Sequence, residues 1–258
     1  QDTTAHSLQL AKMFKGIAAR LQRKPANSEE LVEAEEYMGD LKDVELSKCL
    51  TGVKRDRRNL LFLLEKGHQV NQQLLQAVGS AFDWLQQLTP LMEEAENIVG
   101  TERSKLENKL KRERERFISD LDTTQGTIDS FANRGDMKAL WDNIESLENT
   151  RAHLTHCEET AEQINAEEER LGWTTTNFVQ IPNARKNMEP FENLWKLAGD
   201  FQKGHTQWTR GPVFHLVAED LTKQVDNMWR VAYKLARSMK DAMPTAGGVA
   251  TTIKEQLD

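Results

Sequence analysis

Between Pro90 and Pro182 the chain carries no other proline, and Met92, Val99, Leu106, Leu110, Phe117, Leu121, Ile128 and Phe131 recur there at heptad-like spacing. That pattern commits the middle of the chain to long helices, because nothing in it removes a helical N–H or interrupts the apolar stripe. The 11-residue step from Leu106 to Phe117 is a stutter, which locally relaxes a left-handed supercoil. Read as one helix, Leu91 to Arg134 extends about 66 Å, a lever rather than a core helix.

Asn133-Arg134-Gly135-Asp136 then predicts a tight reversal, with Gly135 as a left-handed cap and Asp136 starting the next helix. The returning helix shows Met137, Leu140, Ile144, Leu147, Leu154, Ala161 and Ile164, so two long helices lie antiparallel. Arg151 and Glu158 interrupt this stripe, which predicts a third helix over part of it. Upstream, Leu10, Phe14, Ile17 and Leu21 mark a first helix ended by Pro25, and Asn27 or Ser28 starts a second with Leu31, Ala34, Met38 and Leu41. Gly39 and Gly52 mark irregularities. Leu60, Leu64, Leu74, Val78, Phe82 and Leu85 continue the helical pattern, bent at Gly67 and Gly79, and Pro90 begins the next helix. Downstream, the three threonines after Trp173 favour non-helical backbone through Ile181-Pro182. A helix starts at Pro190, Gly211-Pro212 breaks it, and Leu221, Val225, Met228, Ala232, Leu235 and Met239 form the most regular stripe. Pro244 and Gly247-Gly248 form a loop before a last helix.

No alternating strand pattern occurs. The expected fold is all-α: elongated helical bundles with long antiparallel helices, solenoid-like. Three parts are expected, an N-terminal bundle over 1–89, a helical hairpin over 90–172 and a further bundle over 173–258.

The 258 residues carry a net charge of -7, from 41 acidic against 34 basic residues, which argues against nucleic acid as a partner. Cys49 and Cys157 form no disulfide framework, so a reducing intracellular compartment is expected. The apolar run Leu60 to Leu64 is far short of the roughly 20 residues that span a bilayer, and no membrane partner is expected. A start at Gln1 and an end within a helical pattern suggest a piece of a longer chain.

Catalytic signatures are sparse. A P-loop needs Gly-Lys, and the sequence has no such dipeptide. His153, His156 and Cys157 stand at i, i+3 and i+4, a spacing able to share an ion, but Leu154 belongs to the buried stripe and Cys157 suits a small apolar position. Glu65 and His68 make one Glu-x-x-His, where a di-iron bundle needs two. The basic runs at 54–58 and 109–116 are interspersed with acids, as on a solvated helix face. Trp84, Trp141, Trp173, Trp195, Trp208 and Trp229 read as core or interface anchors. No catalytic, cofactor-binding or metal residue is assigned.

One arrangement is more specific. A charged helix ends in Asn165-x-Glu167-Glu168-x-x-Leu171-Gly172, crosses a threonine-rich aromatic segment, and resumes at Pro190-Phe191-Glu192-Asn193-Leu194-Trp195. This resembles the tail–linker junction of dynein heavy chains, especially axonemal ones, over roughly the last 120 residues. Trp173 and Phe191 stand where other aromatic or apolar residues are common in that family. The resemblance implies a tail or neck bundle and the start of a linker, with Asn165, Glu167, Glu168, Leu171, Gly172, Pro190, Phe191, Leu194 and Trp195 as structural motif positions. It also implies a force-transmitting segment without an active site or cofactor of its own. ATP and magnesium would belong to an AAA+ ring elsewhere in the same chain. The implied partners are that ring, other dynein subunits and, through the parent motor, microtubules. The implied location is the cytoplasm and cytoskeleton, in the axoneme of a cilium or flagellum. A spectrin-like cytoskeletal scaffold is the alternative, although no three-helix repeat is visible. An enzyme on a helical bundle would need a convergent polar cluster in a pocket.

Overall fold

Among the described residues, the apolar stripes gather into buried cores along the helices. The computed structural model describes residues 2–210 and 218–258, and every regular element among them is helical. No described helix is long and apolar enough to cross a membrane. The chain divides into one unit of Gln1–Arg112 with Glu167–Thr174, and a second of Glu113–Ala166 with Thr175–Asp258.

The first unit holds α1 (Asp2–Leu21), α2 (Ser28–Asp40), a π-helical turn (Leu41–Glu45), α3 (Leu46–Glu65) and residues 72–112 of α4 (Gln72–Ser130). Leu10, Phe14, Ile17 and Leu21 are buried with Leu41, Val53, Ala81, Leu88 and Ala95 in one core. Asn27 starts α2 as expected. Its Oδ1 accepts the Glu30 N–H at 2.8 Å, while the Glu30 carboxylate accepts the Ala26 N–H at 2.9 Å, so two otherwise orphaned donors are satisfied. The irregularity expected near Gly39 is the π turn that follows it.

Gly52 breaks nothing. A Cβ there would lie 3.1 Å from Leu10 and 3.2 Å from His6, so the glycine admits α1 close against α3. The same contact holds Asp56, 1% exposed, which accepts the Ser7 hydroxyl at 2.6 Å and lies 2.6 Å from His6 Nδ1. Gly67 ends α3 instead of bending it, with φ +71° and the His68 N–H reaching the Leu63 carbonyl. α4 then begins at Gln72 and runs through Gly79 and Pro90, which corrects the expected helix start at Pro90. Pro90 leaves the Gln86 carbonyl without its helical donor, yet both residues are exposed and solvent can serve it.

The second unit holds the rest of α4, α5 (Leu140–Arg170) up to Ala166, α6 (Gln180–Arg210), α7 (Ala218–Met239) and α8 (Pro244–Leu257). α4 and α5 run antiparallel, since Asp120 meets Cys157 near one end and Arg134 meets Asn143 near the other. Asp136 caps the return, its Oδ1 accepting the Lys138 N–H at 2.8 Å. Gly135 is not the left-handed cap expected of it, because positive φ occurs only at Gly67 and Gly172 among the described residues. Its reason is space: a Cβ would lie 2.7 Å from the Thr245 carbonyl oxygen.

α6 also starts ten residues before the expected Pro190. Pro182 falls in its first turn, where no intrahelical N–H is needed, and Pro190 lies inside it. Pro244 takes the first position of α8, so Gly247-Gly248 is helical rather than a loop. The Gly211-Pro212 break lies outside the described residues. Trp195 is fully buried in the second core, as anchors should be, whereas Trp141 is 52% exposed beneath the Lys203 ammonium.

Two glycine substitutions should therefore act in opposite directions. Gly126→Ala, in open space on exposed α4, should raise stability by up to about 1 kcal/mol through helix propensity. Gly135→Ala should lower it by about 1–3 kcal/mol by forcing the Thr245 backbone aside. Urea unfolding of both variants measures the two signs.

Candidate functional site at the capped end of α5

The C-terminus of α5 is closed by a Schellman motif. Gly172 adopts φ +75°, its N–H bonds the Glu169 carbonyl at 2.9 Å, and the Trp173 N–H bonds the Glu168 carbonyl at 2.7 Å. Only glycine takes that conformation without a Cβ penalty, which is why the helix stops here. Leu171 is 2% exposed and Glu168 fully buried, so the end of the helix is seated in protein.

Arg103 of α4 fixes it there. One terminal nitrogen donates to both Glu35 carboxylate oxygens at 2.8 and 2.9 Å, Nε donates to Glu107 at 3.0 Å, and the other terminal nitrogen donates to the Leu171 carbonyl at 2.7 Å. A guanidinium can serve three acceptors at once because its donors form a rigid fork. Its charge also faces the negative end of α5. Glu35 and then Glu107 hold the Arg103 pKa above the ordinary arginine value, against burial. The Lys111 ammonium lies 5.7 Å from the Trp173 ring centre, so α4 touches the segment at a second point.

The chain then enters the second unit. Phe178 packs edge-on against Phe117 at 5.0 Å, and Ile181, Ala184, Met188, Phe191, Leu194 and Trp195 follow as the buried face of α6. Phe191 lies 5.9 Å from Phe131. Arg185 makes a two-pronged pair with Glu158 at 2.6 and 2.7 Å and adds Thr155 at 3.0 Å. Glu158, one of the two charges that interrupt the stripe of α5, thus faces α6, and Arg151, the other, lies 4.0 Å from Glu192 of the same helix. Arg185 holds the Glu158 carboxyl below the usual range.

The motif positions divide between capping and packing. Glu168, Leu171 and Gly172 build the helix end, Glu167 pairs with Arg170, and Phe191, Leu194 and Trp195 fill the second core around a Pro190 inside α6. Asn165 Oδ1 and Trp195 Nε1 are buried without a hydrogen-bond partner among the described residues. Arg103 escaped the sequence reading, since it sits in a run of charge and its partners Glu35 and Leu171 are each 68 residues away.

A second cluster lies on α4 and α5. Asp120, His153 and Cys157 bring ligand-type atoms together, while His156 points to Glu159 at 3.5 Å. Burial, then the Asp120 carboxylate, push the Cys157 thiol up to about 11. Glu65 and His68, at the exposed end of α3, acquire no such company.

No family model matches the chain. Its fold is nevertheless that of an all-helical segment with homologues among dynein heavy chains, and the homologues that span it are axonemal. The chain is 26% identical to dynein axonemal heavy chain 3 of Homo sapiens over 251 residues, 96% of this chain and 6% of that protein. Against human dynein axonemal heavy chain 1 the identity is 21% over 96% of this chain and 6% of the relative. Human dynein axonemal heavy chain 12 is 19% identical over 86% of this chain and 7% of the relative. The likeness therefore includes the helices before residue 137, well beyond the motif region. The chain spans only a small fraction of these relatives' length.

Two substitutions test the anchors. Arg103→Ala should lower stability by about 1–2 kcal/mol, the half-exposed position limiting the loss, with Arg116→Ala near zero as control. For Glu158, the depressed folded pKa means its stabilisation is present above the unfolded carboxylate value and is lost as pH falls through the folded one. Arg185→Gln should therefore lower the thermal midpoint at pH 7, and the difference from wild type should shrink as pH falls below about 4. Thermal melts across pH check this.

Proposed function

We propose that this chain is a force-transmitting tail and linker segment of an axonemal dynein heavy chain. The observation that carries the reading is homology to axonemal heavy chains over 96% of its length. In this reading it works in the axoneme of a cilium or flagellum. Its parent is a microtubule motor whose ATP and magnesium are bound by an AAA+ ring elsewhere in the same polypeptide. The ring, other dynein subunits and, through the motor, microtubules are the partners.

The physical case rests on stiffness. A helix transmits load along its axis through its own hydrogen bonds, and it bends where those bonds are interrupted. α4 continues through Pro90, α6 continues through Pro190, and the end of α5 is tied by Arg103 and Gly172 instead of trailing into free loop. The segment's share of the stroke is then mechanical, while chemistry stays with the ring. The spectrin-like alternative draws on the same helical packing but has no relative among those described.

In the complete heavy chain, Arg103→Ala should slow microtubule gliding severalfold while leaving the ATPase rate without microtubules unchanged. Unchanged gliding, or an equal fall in both, would count against a transmitting role.

A further inference from the structure

The cluster on α4 and α5 has the dimensions of a metal site. His153 Nε2 lies 3.0 Å from Asp120 Oδ2, Cys157 Sγ lies 3.6 Å from His153 Nε2, and Cys157 Sγ lies 3.9 Å from Asp120 Oδ2. Bonds of about 2.0–2.3 Å at tetrahedral angles place N, O and S ligands about 3.3–3.6 Å apart, so shifts of a few tenths of an ångström seat an ion within bonding distance of all three. His153 and Cys157 are one turn apart on α5, and Asp120 faces them from α4, so rigid helices present every ligand.

We propose that Asp120, His153 and Cys157 bind one zinc ion, with solvent as the fourth ligand, as a staple between α4 and α5. The mixed S, N and O donor set at tetrahedral spacing suits zinc, whereas calcium and magnesium need more oxygens than the cluster holds. The ion replaces the thiol proton, which leaves to solvent. Cys157 is 1% exposed and supplies the inner ligand, while the His153 and Asp120 side chains are 40% and 49% exposed and leave the outer position open to water. Glu158, the other acid acting on Cys157, is committed to Arg185. The site joins a pair of helices and implies no catalysis. It stands independently of the dynein reading.

The test titrates the reduced full chain with Co²⁺ as the spectroscopic probe, followed by Zn²⁺. One equivalent of Co²⁺ should give a thiolate-to-cobalt charge-transfer band, and Zn²⁺ should abolish it and raise the thermal midpoint. Cys157→Ser should lose the band. Asp120→Asn and His153→Gln, both at solvent-facing positions and checked for helicity, should each weaken binding at least tenfold, and His156→Ala should bind as wild type. Absence of the band in the wild-type chain would overturn the site, as would a band surviving Cys157→Ser or full affinity in Asp120→Asn.

Discussion

Arg103 ties three parts of the first unit together through one side chain. It gathers a carboxylate from α2, another one turn along α4, and the Leu171 carbonyl that closes α5, so three parts of the fold meet on one guanidinium. Such a hub is stabilising only because its acceptors complete the donor fork. A lysine would keep the charge and lose the geometry. The Schellman turn at Gly172 ends α5 just beyond Leu171, whose carbonyl accepts from the donor.

From that hub the functional account follows in order. A helix end that is capped by a glycine turn and held by a guanidinium on its closing carbonyl resists fraying. On the far side of the crossing, Phe178 against Phe117 and Arg185 against Glu158 seat the start of α6 in the second core. The homology to axonemal dynein heavy chains is what lets this anchoring be proposed as part of a mechanical segment. The anchoring alone would not do so, since helical bundles serve many roles.

The sequence was most legible where periodicity decides the structure. The stripe from Leu10 to Leu21, the long stripe from Val99 to Phe131 and the non-helical threonines after Trp173 all lie where spacing and composition placed them. Prolines were misleading. Pro90, Pro182, Pro190 and Pro244 all sit in helices, either in a first turn that needs no N–H or at positions where the neighbouring carbonyl can be served otherwise. Gly135 was read as a turn glycine when its role is to let the Thr245 backbone approach, which no local pattern reveals. The site was less legible still. Arg103 acts over 68 residues, and Asp120 replaces His156 beside Cys157 from 37 residues away, so both depend on packing that spacing along one helix cannot show.

The central claim is that the end of α5 is a held cap rather than a fraying terminus. Amide hydrogen exchange at Gly172 and Trp173 tests it most directly, because both N–H groups are committed to α5 carbonyls. The account predicts protection close to that of interior α5 amides such as Leu154. Exchange at the rate of an unstructured loop would contradict it.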